Sequence, residues 1–250
     1  MFFVSNSKDS HENSQGEEAD DDVFVSPAFY PVSHDGDSAP DLVLMSTDSE
    51  YFYVHLHVLI DASKNGFNNL LEGGQNYHNT ITVTEPSAVL QIILHAIYDT
   101  SCAEYFPSLD SLADAISSLN MYGIPLKNVI APSRPLFEVL LNQAAVRPLD
   151  LYALAASHDL YDLAVAASPH LLSLSLSTIT DAMALRMGPV YLKRLFFMHL
   201  GRAQALRDIL LPPPYPHSPT PRCNVFEQQK LSRAWTLASA CLAWDTNAST

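Results

Sequence analysis

Cysteine is scarce: Cys102, Cys223 and Cys241 are the three in a chain of 250 residues. So few and so scattered, they exclude a disulfide framework and a zinc site of paired cysteines, and favour a reducing compartment. Glycine is also sparse, at 8 residues, and the one adjacent pair, in EGGQNY, is followed by no Gly-Lys-Ser/Thr, which excludes a phosphate-cradling loop. Lysine and arginine number 13 against 27 acids, a formal charge of −14. Duplex binding needs a concentrated surplus of cations, so nucleic acid is not an expected partner. No uncharged apolar run approaches the roughly 18–20 residues that span a bilayer, and no membrane partner is expected. The opening MFFV is too short an apolar stretch for a secretory signal, so the expected location is intracellular, cytoplasmic or nuclear, and the sequon Asn247-Ala248-Ser249 is expected to be inert.

What the chain does contain is apolar surface, 48% of its residues, enough for a sizeable core in one large domain or two small ones. The acidity is concentrated at one end, where residues 1–50 hold twelve acids against one base, Lys8. Residues 1–22 have few apolar anchors and are expected to form a disordered acidic tail. Residues 23–40 mix apolar residues with Pro, Asp and Gly, as an extended arm would. From Asp41 two strand-like runs, Leu42–Met45 and Tyr51–Val54, predict a hairpin.

Helical spacing follows. Val58, Leu59, Ala62, Phe67, Leu70 and Leu71 predict one helical stretch that EGGQNYHN (72–79) breaks, and TITVT (80–84) predicts a strand. A helix is expected from Glu85-Pro86 to Tyr98, and another over 108–125 that ends at Gly123 and Pro125. Further helices are predicted over 147–168, 176–187 and 189–210, making a helical extension of 133–210. LPPPYPHSPTPR (211–222) makes 211–223 a proline-rich spacer, and 224–244 predicts a last amphipathic helix. The segments 109–122 and 149–162 align forty residues apart, as repeated helical hairpins would.

No set of residues announces catalysis. His55 and His57 lie two apart on one strand face, but no third metal ligand accompanies them and no HExxH is present, so no metal or other cofactor is expected. There is no GxSxG elbow, and Ser63 falls inside the predicted helical stretch. Asp110 and Asp114, four apart, read as a solvated helix face. Arg186, Lys193, Arg194, Arg202 and Arg207 are interleaved with Tyr191, Leu195, Phe196, Phe197 and Met198, and are expected on amphipathic helices that pack in the core.

Residues 41–124 resemble the BTB/POZ domain. The family's pattern stands here as Asp41-Leu42-Val43-Leu44, then Phe52, His55, Val58, Leu59, Ser63 and Phe67. Downstream, 81–100 is similar to its strand, helix and helix-ending tyrosine, with Tyr98 in that place, and LADAISSLNMYGIPL to its later helix, ending at Tyr122 and Gly123. The texture is similar to BTB proteins of mushroom-forming fungi. The resemblance implies an α+β fold, a BTB/POZ-like domain (41–130) of clustered helices flanked by short strands, followed by an all-α C-terminal extension. It implies a non-enzymatic interaction module that pairs with itself as a homodimer or with another protein. A substrate adaptor of a cullin ubiquitin ligase is the alternative, and a transcription regulator the alternative from another class.

Three departures accompany the resemblance. Phe67 falls twelve residues after His55 where the family has eleven, an extra residue expected to be absorbed at Gly66. Tyr53 stands where repressor-type members pair a base with the strand's Asp. Gln75-Asn76-Tyr77 stands where cullin-binding members carry a hydrophobic-x-Glu motif.

Overall fold

The computed structural model describes residues 24–31, 39–71 and 80–245. The predicted tail, residues 32–38 of the arm, the glycine break at 72–79 and the sequon lie outside the described residues. The fold is mixed α+β. Its elements are β1 (Phe24–Val25), β2 (Leu42–Met45), β3 (Glu50–Val54), α1 (Leu56–Ala62), β4 (Thr80–Thr82), α2 (Ser87–Ile97), α3 (Leu109–Met121), α4 (Leu126–Val129), α5 (Pro135–Asn142), α6 (Pro148–Ser157), α7 (Tyr161–Ala167), α8 (Asp181–Leu210) and α9 (Val225–Asp245).

The predicted hairpin is β2–β3, antiparallel, with Leu42 opposite Val54 and Leu44 opposite Phe52. All four are buried, because period-2 alternation carries them to the one face that meets the helices. The sheet order is β1-β3-β2-β4, with both outer strands parallel to their neighbours. The arm therefore docks on its own sheet: Ser26 N–H donates to Tyr51 O (2.9 Å) and Tyr53 N–H to Phe29 O (2.9 Å). Phe29 is buried against Phe52, His95 and Tyr98. Behind the sheet, every residue of α2 from Val89 to Ala96 is buried, so this helix is surrounded rather than amphipathic.

Three helical predictions are corrected. The stretch expected through Leu71 ends at Ala62, with Ser63 in an extended conformation at the cap. Beyond it Gly66, Phe67, Asn68 and Asn69 have φ of 60°, 56°, 57° and 62°, one left-handed turn in which Asn69 N–H donates to Asn65 O (2.9 Å). Buried Phe67 and half-buried Leu70 keep helical spacing in sequence, but the spacing does not say which hand carries it.

The helix expected over 147–168 is two, α6 and α7, separated at Asp159 (φ 52°). Leu151 to Ala156 are buried without a break, three of them alanines, so α6 is a central helix that close neighbours surround. The helices expected over 176–187 and 189–210 become a 3₁₀ turn at Leu176–Thr178 and α8. Thr180 caps α8 through Met183 N–H. The helix kinks at Gly188 (φ 70°, ψ 167°), because the residue before Pro189 is driven out of the α region.

Candidate functional site

The residues of the family pattern converge on two places. The first joins α1 to the end of α3. Ser63 Oγ donates to Tyr122 O (2.6 Å) and accepts from Phe67 N–H (2.7 Å), while Asn65 Nδ2 donates to Met121 O (2.9 Å) and Lys64 N–H to Gly123 O (3.0 Å). The rings of Phe67 and Tyr122, both buried, stack at 3.9 Å and 4°. Gly123 has φ 73°, and a Cβ there would stand 2.5 Å from Asn65 Oδ1. The left-handed turn at Gly66–Asn69 leaves Phe67 in the core. Tyr122 donates its phenol proton to the carboxylate of buried Glu85, and burial, then that carboxylate, drive the phenol pKa far above its usual range.

The second place is the start of α1. Asp41 Oδ1 accepts from Leu56 N–H (2.7 Å), so this carboxylate holds a helix N-terminus, and Tyr53 is half-buried in β3. His55 is the residue before the helix. Its N–H donates to Tyr98 Oη (2.8 Å), which also lies 3.0 Å from its Nδ1. Tyr98 thus ties α2 to the end of β3, 43 residues away in sequence, and burial raises its pKa. His57 is exposed on α1, with its ring 5.7 Å from that of His55. Leu59 is buried and Val58 half-buried, which completes the set. Among the described residues no group of three His, Cys, Asp or Glu side chains is placed to hold a metal ion.

The helical part departs from expectation at its aromatics. Tyr191 and Leu195 are in the core as predicted, but Phe196 and Phe197 are exposed together with Lys193, Arg194 and Arg202, since α8 is covered along one side only. Tyr152 Oη donates to Tyr191 O (3.0 Å), and Tyr191 Oη to Asp159 Oδ1 (2.9 Å). Asp159 also pairs with Lys127 (2.7 Å), and that hydrogen bond, then the one from Tyr191, lowers its pKa. Asp110 meets Arg147 (3.0 Å) on the surface, and Asp114 is exposed. Buried His95, with Nδ1 2.7 Å from Thr100 Oγ1, has its pKa lowered by burial.

Sequence reasoning missed Glu85, Asn65 and Phe29. Each acts through a partner more than twenty residues away, which no local spacing marks.

No helix among the described residues is long and apolar enough to cross a membrane. No family model matches the chain, and no curated protein is significantly similar to it.

Proposed function

We propose that the chain is a non-enzymatic interaction module: a BTB/POZ-like domain over 41–130 with a helical extension, pairing with a second copy of itself. The observation that supports this reading is the joint placement of Asp41, His55, Ser63, Phe67, Tyr98, Tyr122 and Gly123, each of which bonds or packs at one of two junctions, the start of α1 or the join between the end of α1 and the end of α3. The first helix and the arm also leave Ile60 and Phe24 exposed, 50% and 66%, as an interface would.

The test is multi-angle light scattering of the full chain at micromolar concentration. A mass twice the 27.5 kDa of the chain is expected. A monomer that stays monomeric at tens of micromolar would refute self-pairing. Binding of a purified cullin N-terminal domain to such a monomer would move the reading to ligase adaptor.

A further inference from the structure

The chain's charge is divided by region. Eight of its 13 Lys and Arg residues fall between 181 and 233 beside three acids, whereas seven Asp and Glu fall between 9 and 22 with no base among them. On the surface of the cationic region lies a cleft of about 230 Å³, lined chiefly by Tyr161 and Val165 of α7 and by Tyr191, Arg194 and Met198 of α8. The Arg194 guanidinium lies 4.9 Å from the centroids of both Tyr161 and Tyr191. A guanidinium held against ring faces keeps in-plane N–H donors for a carboxylate. Arg194, Met198 and Arg202 follow at steps of four, so the two arginines share a stripe about 12 Å long at 1.5 Å per residue. Among the described residues neither arginine forms an ion pair with a carboxylate.

An apolar hole lined by one arginine, with a second arginine two turns further along the same helix, fits an apolar side chain on an acidic segment. The chain carries one: Phe2, Phe3 and Val4, then the acids up to Asp22, ending where Phe24 enters β1. We propose that residues 1–23 dock in the α7–α8 cleft of the same chain, an apolar side chain entering it and carboxylates meeting Arg194 and Arg202. Fully extended, 23 residues span about 75 Å, so reach is not limiting, and tethering supplies an effective concentration of order millimolar. An anionic bilayer is the poorer occupant, because a chain of net charge −14 is repelled from it at long range and a concave cleft seats one side chain rather than a plane. The inference stands whether or not the chain pairs with a second copy.

Zero-length carbodiimide coupling tests it in the full chain carrying Arg202→Lys, which keeps the charge and puts an amine on the stripe. Mass spectrometry of an equal mixture of isotopically light and heavy protein is expected to find acids of 1–23 joined to that amine within one chain. The yield should fall at about 0.5 M salt, where the screening length is about 4 Å. It should fall about tenfold or more when Arg194→Glu is added, as for loss of a charged hydrogen bond. Because Arg194→Glu also disturbs the tyrosines, a further variant truncates Phe2, Phe3 and Val4 to Ser, outside the described fold, and should lower the yield as well. Coupling spread evenly over Lys64, Lys127 and the introduced amine would overturn the proposal, as would links between chains only. Coupling absent while the chain pellets with phosphatidylserine vesicles through Arg194 would make the surface a membrane face, and also overturn it.

Discussion

Two glycines with the same sign of φ show how differently a single Cβ is judged. Gly123 and Gly188 have φ of 73° and 70°, so an L residue is strained at both. At Gly188 a Cβ would meet nothing within 4 Å, and at Gly123 it would strike Asn65. Gly188→Ala is expected to cost roughly 1–2 kcal/mol from the backbone alone, and Gly123→Ala more than about 3 kcal/mol because the Ser63–Tyr122 junction must also shift. Urea midpoints compare them; equal losses would contradict the packing argument.

Histidine protonation supplies a second prediction at this scale. His95, His158 and His199 all have pKa values lowered by burial, with Arg186 and Arg202 adding to the effect at the last two. A lowered folded-state pKa means the unfolded chain takes protons first as pH falls. The stability is therefore full above about pH 6.5 and is lost below it. The thermal midpoint should drop between pH 7 and pH 5, and His95→Gln should flatten that drop; a midpoint unchanged across the window would oppose the assignment.

Among the elements, the left-handed turn after α1 is held by tertiary contacts rather than by its own preference. A left-handed residue costs roughly 1–2 kcal/mol, less for Asn than for others. Asn68 and Asn69 are exposed there, whereas Phe67 is fully buried against Tyr122. Asn69→Gly should leave stability unchanged or raise it by up to about 1 kcal/mol. Phe67→Ala should lose about 3–5 kcal/mol through the cavity it leaves. Chemical denaturation reads both, and a clear loss on Asn69→Gly would show that the side chain, not the backbone, holds the turn.

For the whole molecule, self-pairing belongs to exposed apolar positions that the core does not need. Ile60→Asp and Phe24→Asp place charges at exposed sites, so they should leave the thermal midpoint of the monomer within a few degrees while halving the mass seen by light scattering. A dimer that survives both changes would place the interface elsewhere, with the exposed Leu185, Phe197 and Leu200 of α8 the next residues to change.

Local chemistry was legible in the order of residues. Alternation in 42–45 and 51–54 set the hairpin and its buried face, Pro189 marked where the long helix turns, and Gly123 marked where α3 stops. The apolar period found α2, α3 and the core half of α8, since burial of one face leaves its mark every three or four residues. It could not tell a helix from a helix plus a left-handed turn, nor a one-sided helix from a surrounded one, because period records which residues are apolar and not how many neighbours cover them. Asp41 capping α1, Tyr98 holding His55, and Tyr122 donating to Glu85 were decided only by tertiary structure: hydrogen bonds between residues 15 to 43 apart depend on where elements cross, and no local spacing encodes a crossing.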